Sequence, residues 1–444
     1  MRRLEEALHC IAAFTPAQFE KMLGQFDAEW ISQALAATGS ATLRRRRLPM
    51  EQVMLLVIGM ALLRDLAIPD VARQLELVLP SGTSRTTAPS AVVQARRRLG
   101  ADAMEWLFAH SAAQWGQDSV RRDTWRSLAL FVVDGSTLRV PDTDANRAHF
   151  GGQKSHRGES GYPQLRLNVL MAARSHVLLA ASFAPYSVDE RTLAADLWTH
   201  IGDDSVTLLD RGYLQANVLV RLAEGKNRHW LTRARKNSTW NVIRRLGPGD
   251  ALVEMAVSRT ARGKDPTLPA SFQARVIEYQ QKGFAPQKLL TSLLDPAKYP
   301  AAEIRALYHE RWEIELAYDE LKTEMLDREE AIRSKSPDGV AQELWGILLA
   351  YNLVRREMES IADEIGQPPL RISFVAALRE LVSQLLWAAV TGTPGGIPPR
   401  IADMRDKIRQ FLLPPRRARP SYPRAVKVKM SNYELNRRRK KPLK

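Results

Sequence analysis

The chain of 444 residues contains one cysteine, Cys10. No internal disulfide can form, and the position of Cys10 among apolar residues of a predicted helix argues against a catalytic thiol. Long apolar runs are also missing. The longest, Val53 to Leu63, falls well short of the roughly 20 residues that span a bilayer. The eight histidines show no zinc-ligand spacing, which leaves no sign of a structural or catalytic zinc centre. The first residues, MRRLEEALHC, carry acids and no cleavage site, and no lipidation motif or internal repeat is present. These absences predict a cytoplasmic protein with no membrane association. Acid is scarce relative to base, at 49 Asp and Glu against 65 Lys and Arg, for a net charge of +16. An excess of that size calls for a polyanionic partner, and nucleic acid fits better than a membrane surface.

With 45% hydrophobic residues, the chain can bury the cores of several domains. The first hundred or so residues read as helices only. One is capped by Thr15-Pro16 and runs through Phe19, Met22, Phe26 and Trp30, and others are predicted over Met50 to Arg64, Ile68 to Val78 and Pro89 to Leu99. Two basic runs, Arg44 to Arg47 and Arg96 to Arg98, could lie on phosphates or form solvated faces. Residues 415–444 hold 12 Lys or Arg against the single acid Glu434, a tail suited to phosphate contact.

From Leu128 the pattern becomes that of strands. LALFVV ends at Asp134-Gly135, which on its own reads as a strand entering a hairpin, with a second strand at Thr137 to Val140. Further strands are predicted at Gln164 to Met171 and His176 to Phe183, a helix at Asp189 to His200, and a strand at Val206 to Leu209 ending in Asp210. If Leu128 to Val133 and Val206 to Leu209 are neighbours in one sheet, Asp134 and Asp210 converge at their ends. Residues 225 to 296 read as short strands, and a long helix begins at Pro300. ELWGILLAYNLVR, from Glu343, is apolar nearly all round and predicts a buried helix with Asn352 as a satisfied buried polar group.

The helix YHERWEIELAYDELK, Tyr308 to Lys322, carries two adjoining faces. Leu307, Ile314, Tyr318, Leu321 and Met325 fall in one arc roughly 60° wide, and Tyr308, Arg311, Glu315 and Lys322 in a second arc beside it. The plain alternative is an amphipathic helix edged by snorkelling side chains. The pattern Y-(2)-R-(3)-E-(6)-K resembles the signature of the insertion-sequence IS4 family of bacterial DDE transposases. FVVDGST around Asp134, LLDRGY around Asp210, SGYPQLRL from Ser160 and ELWGILLAYNLVR extend the resemblance over most of residues 125 to 360.

The resemblance implies an α/β fold built on an RNase H-like mixed-sheet catalytic core. Residues 1–110 would be an N-terminal helical DNA-binding domain, and 125–224 and 297–365 the two parts of the core. Residues 225–296 would form a β-strand insertion, and 366–444 a C-terminal helical region with a basic tail. Asp134, Asp210 and Glu315 would be the catalytic residues and metal ligands, holding two Mg2+ ions for which Mn2+ can substitute. Tyr308, Arg311 and Lys322 would hold DNA phosphates. The implied partners are double-stranded DNA, as the terminal inverted repeats of an element and as target DNA, and a second copy of the chain, with Leu370 to Val390 as a possible dimer contact. Trp230 and Trp240 are candidates for an aromatic that holds a flipped base, and equally for core fillers. The competing readings are a non-cutting, transposase-derived DNA-binding protein and an RNase H-like metal-dependent nuclease.

Overall fold

Six consecutive apolar residues from Leu128 are long enough for one strand crossing a core, and they do not stop at Asp134-Gly135. In the computed structural model, which describes residues 28–40, 49–75, 88–155, 158–159, 161–280, 286–326, 332–391 and 397–414, a single strand, β1, runs over Ala129–Arg139. The Asp-Gly pair is therefore mid-strand and not a turn, and the separate strand at Thr137 to Val140 is the continuation of β1. Cys10, the helix from Thr15 to Phe26, Arg44 to Arg47 and the basic tail lie outside the described residues.

Among the described residues, five helices precede β1: α1 (Ala28–Ala37), α2 (Met50–Leu62), α3 (Ile68–Gln74), α4 (Pro89–Leu99) and α5 (Asp102–Arg122). After β1 come α6 (Asp144–Phe150) and the small hairpin β2 (Lys154–Ser155) and β3 (Gly158–Glu159). Next are β4 (Gln164–Ala172), β5 (Leu178–Pro185), α7 (Glu190–Leu193) with a 3-10 extension to His200, and β6 (Ser205–Leu209). The chain continues through α8 (Ala216–Ala223), β7 (Arg228–Arg233), β8 (Asn241–Gly247), β9 (Asp250–Ala256), α9 (Arg259–Lys264), β10 (Ser271–Tyr279) and β11 (Gln287–Thr291).

The main sheet has nine strands in the order β5-β4-β1-β6-β7-β11-β10-β9-β8. β1 pairs antiparallel with β4 and parallel with β6, and β6 pairs parallel with β7. This is the RNase H-like arrangement that the strand order predicts. Residues 225–296 do not close into a sheet of their own: β7 hydrogen-bonds to β6, and β11 is antiparallel to β7. β7 thus belongs to the core sheet, and β8 to β11 extend it.

Beyond the sheet, α10 (Ala301–His309), a 3-10 turn (Glu310–Trp312), α11 (Glu313–Asp319) and a π-helical turn (Glu320–Met325) form the segment that carries the Tyr308 to Lys322 pattern. Leu307, Ile314, Tyr318, Leu321 and Met325 are all buried, as the helical wheel requires. The central helix α12 (Pro337–Glu364) is buried along nearly its whole length. Asn352 on it is fully buried and satisfied: its Nδ2 donates to Leu178 O and its Oδ1 accepts from Leu178 N, both at 2.8 Å. The last described helices are α13 (Phe374–Thr391) and α14 (Ile397–Arg409).

The N-terminal helices share the core of α12. Trp30, the apolar run of α2, Leu99 and Phe108 lie in one continuous buried cluster with Leu344, Ile347 and Tyr351. At Gly346 an added Cβ would stand 2.6 Å from Val57 Cγ1 and 3.1 Å from Val57 O, so glycine is what lets α2 and α12 cross this closely. Arg96, offered by the sequence to phosphate, is used here. It donates to Gln342 Oε1 at 2.8 Å and to Ser334 Oγ at 3.0 Å, while Arg97 and Arg98 stay exposed. Phe374, Ala377 and Leu381 of α13 also join this core, so that stretch of Leu370 to Val390 packs within the chain.

Candidate active site

Asp134 and Asp210 meet because of the β1–β6 register. Val133 pairs with Leu209, and each aspartate is the next residue of its strand or just beyond it. β6 ends there, so Asp210 caps a short 3-10 turn, with its Oδ2 accepting from Gly212 N at 3.2 Å. Arg235 anchors that turn by donating to Arg211 O at 3.1 Å and Gly212 O at 2.9 Å. Asp134 Oδ1 accepts from Gly135 N at 2.8 Å.

Glu315 reaches the same place from α11. Arg311, one turn earlier, donates to Glu315 Oε1 at 2.7 Å, and its Nη1 is 3.7 Å from Asp134 Oδ2. Asp210 also acts electrostatically on Arg311. One guanidinium is therefore bonded to Glu315 and close to Asp134, and it feels the charge of Asp210. Among the described residues, no three acidic, histidine or cysteine side chains already converge closely enough to hold a metal ion.

Asp134 is held near pKa 6, well above its ordinary value of 3.8. Burial is the largest cause, and Glu190 and Asp210 add like-charge repulsion; the Gly135 N–H bond and Arg311 only partly offset it. Tyr308 is buried rather than edge-lying, and burial pushes its hydroxyl up to about 12, with Arg311 pulling the other way. Lys322 is half-buried, and desolvation lowers its pKa. A partly buried ammonium gains from an anion that restores its solvation.

Two sets of contacts hold the helix in place. The Tyr318 hydroxyl donates to Asp134 O at 2.9 Å and is 3.4 Å from Leu167 O, pinning α11 to β1 and β4. Behind it, His176 from the β4–β5 turn contacts Glu313 Oε2 at 3.0 Å through Nε2. Arg355 of α12 bonds to Glu320 and lies 2.8 Å from His176 Nδ1, and Tyr351 donates to Glu320 Oε2 at 2.9 Å. Glu313 and Glu320 flank Glu315, so this buried cluster sets its height along the helix. Sequence reading took Tyr318 only as part of the apolar face, although a tyrosine there needs a partner for its hydroxyl. It passed over Glu190 altogether.

Trp230 is 1% exposed and packs edge-on against Phe272 at 6.4 Å; it fills the core and cannot reach a base. Trp240 is half-buried, with Lys288 Nζ 5.3 Å from its ring centroid.

The family described as "Transposase DDE domain" matches residues 125–353, and "Insertion element 4 transposase N-terminal" matches residues 16–109. The transposase InsG for insertion sequence element IS4 of Escherichia coli (strain K12) is 39% identical over 414 residues, 93% of this chain and 92% of that protein. A putative transposase, InsZ, of the same organism is 39% identical over 218 residues, 48% of this chain and 71% of its own. A cryo-EM structure of the piggyBac transposase synaptic complex with hairpin DNA aligns with a TM-score of 0.45 and 12% identity, covering 92% of this chain and 87% of that one. The chain belongs to the IS4 family of DDE transposases, enzymes that cleave and transfer DNA.

Proposed function

We propose that the chain binds the terminal inverted repeats of an insertion sequence, cuts the DNA at the element ends with Mg2+, and joins the freed 3′ ends to target DNA, acting as a homodimer. The observation that carries this reading is the β1–β6 register that sets Asp134 beside Asp210, with Arg311 linking Glu315 to Asp134. The donor set suits the metal: carboxylate oxygens with no histidine or cysteine are what hard divalent cations such as Mg2+, or Mn2+ in its place, prefer. Asp134, Asp210 and Glu315 would hold the ions, which when bound supply charge neutralisation and nucleophile activation at the scissile phosphate.

The protein's own groups do the rest. Arg311 is paired with carboxylates and can exchange them for a phosphate, whose geometry a guanidinium matches equally well. Lys322, seven residues from Glu315 on the same helical segment, offers a partly desolvated ammonium to a neighbouring phosphate. Tyr308, next to Arg311, keeps its proton at neutral pH and can donate a hydrogen bond. Having these groups and Glu315 on one segment pinned by Tyr318 fixes the DNA relative to the carboxylates. Hydrolysis at the element end leaves a 3′-hydroxyl, which attacks a target phosphodiester in the joining step, forming a new 3′-O–P bond as the target strand's own 3′-oxygen leaves.

The test is Mg2+-dependent cutting and joining of the terminal repeat by the intact protein, Asp210→Ala and Glu315→Gln. Both variants should bind the ends and cut nothing. An intact protein that binds the ends but never cuts with any divalent metal would establish the non-cutting DNA-binding reading, and cutting without joining would establish a nuclease.

A further inference from the structure

Glu313 and Glu320 stand seven residues apart on the segment that carries the site, and so do Glu315 and Lys322. Seven residues make nearly two α-helical turns, so each pair shares a face, and the two faces lie on nearly opposite sides of the helix axis. The face of Glu313 and Glu320 meets His176 and α12. Glu320 Oε2 accepts from the Tyr351 hydroxyl at 2.9 Å and from the Arg355 guanidinium, and Tyr351 and Arg355 are buried one turn apart on α12. A guanidinium only donates, so His176 Nδ1, 2.8 Å from Arg355 Nη2, accepts from it; the ring proton sits on Nε2 and is donated to Glu313 Oε2 at 3.0 Å. Glu313, His176, Arg355 and Glu320 thus form one hydrogen-bonded chain that grips the segment on both sides of Glu315. His176 takes its place in that chain with a left-handed φ of 64°, a conformation that costs a histidine energy.

Glu320 is also the first residue of the π-helical turn, and Lys322 the third. A π turn closes its hydrogen bonds one residue later than an α turn, so it winds less per residue; such turns are rare and mostly occur singly inside α-helices, frequently at functional sites. Lys322 therefore points in a direction around the axis that an unbroken α-helix would not give it. It is half-buried and, among the described residues, has no hydrogen bond or ion pair. The inward bonds of Glu320 set the start of the turn, and two residues later the chain presents Lys322 on the other side.

We propose that Glu320 is a positioning residue for the reaction: bonded to Arg355 and Tyr351, it holds the π-helical turn in the form that presents Lys322 to a DNA phosphate beside Glu315. This rests on the phosphate role of Lys322 proposed above. Glu320 touches no DNA in this arrangement, and its carboxylate acts only through the backbone between residues 320 and 322. The grip on Glu313 at the other end keeps Glu315 in register with Lys322, so carboxylate and ammonium reach the same stretch of DNA.

The experiment is a double-mutant cycle on the full chain with Glu320→Ala, Lys322→Ala and the pair. It reads Mg2+-dependent cutting of a duplex carrying the terminal repeat, and the salt dependence of binding to that duplex in EDTA. Losing one phosphate contact lowers the slope of log affinity against log salt by about one. Lys322→Ala and Glu320→Ala should each lower the slope by that amount and cutting by about tenfold or more, and the pair should cut within about twofold of Lys322→Ala alone. Glu320→Gln, whose carbonyl oxygen can take the place of Oε2, should restore cutting to within about threefold of the intact protein. Thermal melting checks that each variant is folded. Should Glu320→Ala not fold, Tyr351→Phe, which removes one anchoring bond and leaves the Arg355 pair, takes its place in the cycle with an expected loss of about threefold or more. An unchanged salt slope in the anchor variant, or losses that multiply in the pair, would overturn the proposal. A Lys322→Ala protein that binds and cuts like the intact one would instead sink the phosphate role of Lys322, and the proposal with it.

Discussion

Asp134→Asn should stabilise the protein in the absence of metal while removing a carboxylate of the proposed metal site. Asp134 has a folded pKa of about 6 against an ordinary 3.8, so the folded chain holds the proton more tightly than the unfolded one. The stabilisation from that proton is complete below about pH 3.8 and is lost as pH rises through 6. At about 1.4 kcal/mol per tenfold change in proton affinity, keeping Asp134 ionised at pH 7.5 costs at most about 3 kcal/mol. The side chain is 20% exposed, and solvent trims the penalty, so about 1–2 kcal/mol is expected. Asparagine relieves it at neutral pH, because its carbonyl oxygen still accepts from Gly135 N and its amide carries no charge against Glu190 and Asp210. Urea unfolding in EDTA, monitored by tryptophan fluorescence, should show the variant more stable at pH 7.5 and the gain largely gone at pH 4.5. A variant that is less stable at pH 7.5, or equally stabilised at both, would refute the claim that burial and like charges dominate Asp134.

Two further outcomes follow from the same geometry. Arg311→Ala removes the cation that links Glu315 to Asp134 and the proposed phosphate ligand, so DNA cutting should fall tenfold or more in kcat with no loss of Mn2+ affinity; metal binding that falls in parallel would mean Arg311 organises the carboxylates instead. Asn352→Leu leaves both backbone groups of Leu178 unpaired in the core, at a cost of about 2–4 kcal/mol. A shift in the urea midpoint worth less than 1 kcal/mol would show that the β5 edge relaxes to satisfy itself.

What could be read from sequence was periodic or local. The apolar arc of the Tyr308 to Lys322 segment, the buried character of α12 and the satisfied Asn352 each follow from spacing that a helical wheel exposes, and the β1–β6 neighbourhood follows from strand order. Asp134-Gly135 misled as a turn because its reason for glycine is tertiary: Glu190 and Asn168 arrive from elsewhere in the chain to fill the space a side chain would need. Arg96 looked like a phosphate ligand because nothing in its own neighbourhood reveals Gln342 and Ser334, about 240 residues away. The His176, Glu313, Glu320 and Arg355 cluster was invisible for the same reason. The join between β7 and β6 is a pairing choice that short strands of similar composition do not encode.

The nine-stranded sheet makes strand register a quantity shared between its two ends. From β8 to β1 each strand is hydrogen-bonded to the next, and β8 carries Arg244 and Arg245 at the open edge. A molecule that grips that edge and slides β8 along its axis loads β9, β10, β11 and β7 in turn, and β7 bears on β6, whose end carries Asp210. Since a one-residue slip would turn every side chain to the other face, the sheet resists small displacements as one stiff plate. Binding at the far edge would therefore reach the aspartate as a tilt of the whole plate, with little change in the spacing between strands.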